Sequence, residues 1–509
     1  MRVRLVLVLA SLTLCFGSVG ARATEFGLND VYAGAREQTA DYLRDLGVSW
    51  ISDHLPRRGI EKAKSKGVSY HFEKIDKLLD QYARKARAKS WFVINIESKS
   101  AFTDGKLIGS GKKSHGKYIP DGPISYEAYG KFLRELVKHV NGYVPGWKAL
   151  YWSVDNEHAS LFVEAYCHGR GKAINPACGK DAAMAYARLL EYSSRTIRAV
   201  DPQAKIVLGG VPGNTSDEEF EMYWKPILKA LQEKRWGGSF DFFDYHNFNT
   251  SQNYEAGTCG KNLDFFKKML AEAGFADKPV LIKAGATHSG WDLEAKNQRL
   301  HQKQTEADQA AYLVKRFVRL AAQGSPLILW GTVRETEDRE GRHGTYSHNG
   351  LVYDGIPAKG QCDGNKEDPC PDPGDGVKKL SYYAFQFFMK NFKDADWSKL
   401  SAVKSSDDSV HAYRLEAQGK PVFIVWRDEW QRKTAASTNE PVVLNVGGSL
   451  PSGETASVTN SIPSIPSAGA PLKAGMSVES FRRAQAKVAN GELRIEVGSS
   501  PVYVGLRGS

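Results

Sequence analysis

The run Ala149-Leu150-Tyr151-Trp152-Ser153-Val154 is apolar and aromatic, and it ends abruptly in Asp155-Asn156-Glu157. Strand interiors reject charge, so this amide and carboxylate belong at the tip of a buried strand. Such a pair can cleave a bond between sugars: the carboxylic acid protonates the leaving oxygen while the amide hydrogen-bonds a neighbouring hydroxyl. The dipeptide is common, and a strand running into an acidic loop would read the same way. Its meaning depends on what else reaches the same place.

The elements that must position it form a regular pattern. Between Phe26 and Phe392, short β-like runs alternate with longer helical ones. The strand candidates are residues 26–28, 48–52, 91–96, 149–154, 205–209, 240–246, 279–282 and 327–330. Between them, Ile75, Leu78, Leu79 and Tyr82 fall on one helical face; so do Tyr186, Leu189, Leu190, Ser193 and Ile197, and Leu313, Phe317 and Leu320. Eight strands, each followed by a helix, predict an α/β fold of the (β/α)₈ TIM barrel type over residues 24–395. A doubly wound open sheet is the alternative, but no glycine-rich phosphate loop follows the first strand. Past Phe392 the helical period fades, and alternating runs at 422–426, 442–446, 493–497 and 502–506 predict a C-terminal antiparallel β-sandwich over residues 396–509.

In such a barrel, chemistry sits where strands end. The third predicted strand ends at Glu97, the fourth at Asn156 and Glu157, the sixth brings His246 among aromatics, and the eighth ends at Trp330, a flat face for a sugar ring. Each alone is as well explained by a solvated glutamate, a satisfied histidine or a core tryptophan. Together they predict a polar, aromatic-lined carbohydrate cleft.

Bulk properties narrow the class. Met1-Arg2-Val3-Arg4, a mostly apolar run to Gly20 and Ala21-Arg22-Ala23 form a secretory signal, with cleavage expected after Ala23. This gives a secreted or periplasmic product of about 486 residues with no integral membrane segment. The whole chain carries +11, of which three arginines fall in the leader, leaving +8. The basic residues are dispersed and no nucleic-acid motif accompanies them, so an anionic polysaccharide is the more natural charged partner. Cys167 with Cys178, and Cys362 with Cys370, are expected as two local disulfides, leaving Cys259 over. No cofactor motif is present and no metal is expected: there is no CxxC pair, and residues 363–368 lack the glycine of a calcium loop. Nothing in the sequence fixes an oligomeric state.

With these residues in place, the chain resembles the clan A glycoside hydrolases, and within them the family 39-like glycosidases. The matching pieces are Leu46 to Ile51 entering strand two, Trp152 to Glu157, Phe243-Asp244-Tyr245-His246, Pro279-Val280-Leu281-Ile282, and Gly350-Leu351-Val352-Tyr353-Asp354. They span nearly the whole mature chain. The resemblance implies Glu157 as general acid/base, Asn156 as ligand of the sugar 2-hydroxyl, and His246 and Trp330 lining the cleft.

It also implies a second carboxylate, a nucleophile about 5–5.5 Å from the first, at the end of strand seven. There the sequence reads Ile282-Lys283-Ala284-Gly285, so Lys283 takes the expected Glu position. Strand two departs as well, with Ser52 where relatives carry an arginine that steadies the nucleophile. An ammonium facing Glu157 favours its ionised form, whereas catalysis needs it protonated. Activity could survive if the substrate supplied its own nucleophile, if Glu97, Glu335 or Glu337 reached the sugar, or if Glu157 served a different reaction. Three readings follow: a hydrolase with a non-standard second catalytic group, a catalytically silent glycan binder, and an assembly protein with no sugar ligand.

Overall fold

The structure is a computed structural model that describes residues 24–29, 38–64, 67–96, 113–114, 117–118, 126–159, 176–213, 215–248, 263–289, 304–335, 348–355, 374–428, 440–464 and 480–506. Eight parallel strands close into a barrel: β1 (Glu25–Asn29), β2 (Trp50–Pro56), β3 (Lys89–Asn95), β4 (Tyr151–Val154), β5 (Lys205–Pro212), β6 (Phe242–Phe248), β7 (Val280–Ala286) and β8 (Leu327–Gly331). All eight predicted runs are strands, and β8 returns to β1 with Glu25 opposite Leu327. Parallel strands covered on both faces read as continuous apolar runs, and every residue of β7 and β8 is buried. Strands β2 to β8 each contribute to one cluster of Trp50, Trp91, Tyr151, Val207, Phe242, Leu281, Leu327 and Leu329. This layer fills the barrel and leaves the carboxyl ends of the strands for polar groups.

The helices follow the predicted faces. Glu73–Leu79 runs into a wider helical turn, Asp80–Lys85, burying Ile75, Leu78, Leu79 and Tyr82. Pro176–Val200 buries Tyr186, Leu189, Leu190, Ser193 and Ile197. Glu306–Ala322 opens with a reciprocal cap in which Thr305 and Asp308 satisfy each other's backbone N–H groups. No described helix is long and apolar enough to cross a membrane.

The C-terminal part is an antiparallel sheet of eight strands: β9 (Asp396–Ala402), β10 (Val410–Ala417), β11 (Lys420–Arg427), β12 (Glu440–Asn445), β13 (Thr455–Asn460), β14 (Arg483–Ala489), β15 (Glu492–Val497) and β16 (Val502–Val504). Their order, β9-β10-β11-β16-β13-β14-β15-β12, curls the sheet over a core that includes Val410, Phe423, Val442, Leu493 and Val502. The last barrel helix, Leu380–Phe392, seals the junction. Phe387 stacks on Phe481 at 4.0 Å and Phe392 meets the edge of Tyr503 at 5.0 Å. Arg319 also donates to the buried Asp428 at 2.9 Å.

Candidate active site at the carboxyl rim

The tip of β4 is an unusual piece of backbone. Asp155 and Glu157 both have positive φ, 63° and 48°, a region that costs residues with a Cβ and persists only where the surroundings hold it. Three features hold it here. The Asp155 carboxylate accepts the Asn156 N–H at 2.8 Å and the Asn95 amide at 3.4 Å. His158 is fully buried, stacked 3.4 Å from Tyr186 and 2.8 Å from the Tyr223 hydroxyl. Burial holds its imidazole well below the usual range, so it is neutral. Beside the tip, β5 supplies Gly210 at φ 78°, where an added Cβ would lie 2.7 Å from the Glu157 nitrogen. Glycine is required there.

The Glu157 side chain is 39% exposed, and its Oε1 lies 2.8 Å from His246 Nδ1. The other ring nitrogen, Nε2, lies 3.0 Å from Asp244 Oδ2. Burial pulls the His246 pKa down, but the Asp244 charge and the hydrogen bonds to Asp244 and Glu157 outweigh burial and the opposing Lys283 ammonium. The net shift is upward. Asp244 is fixed in turn by the Lys283 backbone N–H at 3.1 Å.

Lys283 completes the rim from β7. It is 1% exposed, with Nζ 2.5 Å from Asn156 Oδ1 and 3.5 Å from His54 Nε2. Burial pushes its pKa below the usual lysine value, although the carboxylates of Asp244, Glu157, Asp155 and Asp53 resist. Asp53 accepts the Tyr82 hydroxyl at 2.9 Å and the His54 N–H at 2.6 Å.

The structure therefore gathers Asn156, Glu157, His246 and Lys283 at one rim. Trp330 departs from the expectation of a stacking platform. Its indole is fully buried, donates to the Asn349 carbonyl at 3.1 Å and meets the edge of Tyr312, because the segment after β8 folds over it. Glu335 is also spent: buried, it pairs with Lys379 and lies 3.3 Å from His348. Glu97, Glu337, residues 363–368 and Cys167, Cys259, Cys362 and Cys370 lie outside the described residues, as does the Cys178 side chain.

Sequence reasoning missed Asp53, His54, Asp155 and Asp244. Asp53 and Asp244 sit inside buried strands, so the rule that flagged Glu157 applies to them too. Among the described residues, no group of three or more His, Cys, Asp or Glu side chains is placed to hold a metal ion.

No protein-family model matches the sequence, and no curated protein matches it. Solved structures do. A monomeric β-xylosidase from Caulobacter crescentus CB15 superposes with a TM-score of 0.57 at 14% identity, over 95% of this chain and 97% of that one. CelM2, a bifunctional glucanase-xylanase from a metagenome library, gives 0.54 at 11% identity, over 96% and 97%. A Paenibacillus polymyxa xyloglucanase of glycoside hydrolase family 44 gives 0.52 at 8% identity, over 96% and 97%. At these identities the likeness establishes the fold alone: a closed parallel barrel followed by a trailing antiparallel sheet.

Proposed function

We propose that this chain is a secreted glycoside hydrolase-type protein acting on O-glycosidic bonds of a poly- or oligosaccharide, with Glu157 as general acid/base and Asn156 binding a sugar hydroxyl. The observation that carries this reading is the half-exposed Glu157 carboxylate on a constrained strand tip, 2.8 Å from His246 and adjacent to the Asn156 amide. Lys283 takes the nucleophile's position, so the second catalytic group is non-standard: a group of the substrate itself, or a carboxylate such as Glu97. Turnover of a glycan by the mature protein, reduced on the order of 10²–10⁴-fold in Glu157→Gln, tests it. An unchanged rate in that variant removes Glu157 from the mechanism.

The Lys283 ammonium supports a second reading, a catalytically silent glycan binder. Glu157 favours the charged form of Lys283, and by the same interaction the ammonium favours the glutamate anion, the wrong state for proton donation. On this reading the wild type binds without turnover and Lys283→Glu gains hydrolysis. A folded, sugar-binding variant that stays inert shows that loss of the nucleophile is not the whole difference. Secretion belongs to the proposal as well: the exported protein should begin at Thr24, one residue before β1, and N-terminal sequencing checks it.

A further inference from the structure

Lys283 has a geometric consequence that hydrolysis does not require. An ammonium has donors and no acceptor. The 2.5 Å contact between its Nζ and the Asn156 side chain therefore settles how that amide faces, with oxygen toward β7 and nitrogen away. Among the described residues the Asn156 side-chain nitrogen has no acceptor. Among the described residues, Lys283 is the side chain that fixes its orientation.

The charges around it decide what the amide can serve. Facing Lys283 are Asp53 on β2, Asp155 and Glu157 after β4, and Asp244 on β6, with the His54 ring 3.5 Å away. His246, its pKa raised by Asp244 and by the hydrogen bonds to Asp244 and Glu157 against burial, lies between those two carboxylates. Lys283, Asp53, Asp155, Asp244 and His246 are all buried. The charge that reaches solvent is the Glu157 carboxylate.

We propose that Lys283 is a positioning residue that locks Asn156 as a hydrogen-bond donor, and that the subsite formed by this amide and Glu157 takes an uncharged, hydroxyl-bearing sugar and rejects a uronate. A sugar hydroxyl accepts from the amide and donates to the carboxylate. A uronate carboxylate would meet the Glu157 carboxyl group, while the Lys283 ammonium is buried and already bound to Asn156. Among the described residues around Lys283, carboxylates outnumber cations at this rim. The clamp stands on geometry alone; the sugar selection rests on the proposed glycan function.

Two measurements on the mature protein separate them. The first needs no sugar: the Lys283 amine is titrated by nitrogen-15 NMR in wild type, Asn156→Asp and Asn156→Leu, each checked for folding by circular dichroism. The clamp predicts a midpoint that rises in Asn156→Asp and falls in Asn156→Leu. A midpoint indifferent to residue 156 overturns it. The second is calorimetric binding of cellohexaose against its C6-oxidised counterpart, cellohexauronate. The expected result is a preference of at least about tenfold for the neutral chain, since like charges brought together across an interface repel. Equal or tighter binding of the uronate overturns the selection. If neither chain binds while the titration still follows residue 156, the clamp stands, and the sugar selection fails together with the glycan reading.

Discussion

Lys283 and Lys379 are both buried near the carboxyl rim, and they are held in opposite ways. Lys379 makes a direct ion pair with Glu335 and donates to Ser289 Oγ at 2.8 Å and the His348 carbonyl at 3.1 Å. It ties the segments after β7 and β8 to the start of the last barrel helix. Lys283 touches an amide and lies near an imidazole, with its carboxylates acting across space. A buried charge with a contact counter-ion is what a fold needs. A buried charge resting on a neutral group, with a lowered pKa, is more often a feature of a working site.

Removing each amine should separate the two roles most strongly. Lys379→Met leaves the Glu335 carboxylate buried without its cation, and breaking such a pair costs about 3–5 kcal/mol. Lys283→Met removes a desolvated charge whose direct partner is an amide, and the Asp53, Asp155 and Asp244 carboxylates keep their other hydrogen bonds. It should cost less than about 2 kcal/mol. Urea unfolding of the two variants checks this. Equal losses would make Lys283 a structural lysine like Lys379.

The next effect falls on the backbone beneath Glu157. Gly210→Ala puts a Cβ 2.7 Å from the Glu157 nitrogen at a φ of 78°, a strain of about 1–3 kcal/mol. It should displace the Glu157–His246 contact while sparing the Lys379 cluster, because the atoms nearest that Cβ belong to Asn156 and Glu157. Imidazole shifts of His246 and His348 in one NMR spectrum report both places. A shift confined to His348 would contradict the assignment.

How far this contrast was visible in the sequence depends on distance along the chain. The eight strands were legible because parallel, doubly covered strands are apolar runs bounded by turns. Glu157 and His246 were legible because each interrupts or ends such a run. Lys283 showed as a departure from the glycosidase resemblance, but its partner Asn156 lies 127 residues away, and no local pattern encodes that meeting. Asp244, two residues before His246, carries no strand-end signal, because its role is set by neighbours on β6 and β7. Trp330 misled for the opposite reason. A strand-end tryptophan suits a sugar platform, and only the segment around Asn349 folding back onto it makes it core.

The smallest expected effect is a pH signature that differs between the two clusters. His246 has a raised folded pKa, so its stabilising contribution is fully present below its unfolded value near 6.5 and is lost as pH rises through the folded value. Glu335 has a lowered one: burial raises it, but the Lys379 charge and the His348 contact outweigh burial. Its contribution is present above the unfolded carboxyl value and is lost as pH falls through the folded one. The Glu157–His246 rim cluster should therefore loosen as pH rises above about 6.5 and the Lys379 cluster as pH falls below the usual carboxyl range. Urea midpoints measured from about pH 2 to 9 in wild type, His246→Asn and Glu335→Gln test the assignment. The His246 variant should flatten the alkaline limb and the Glu335 variant the acid limb; if both variants flatten the same limb, the two clusters are one electrostatic unit and the contrast between the lysines fails.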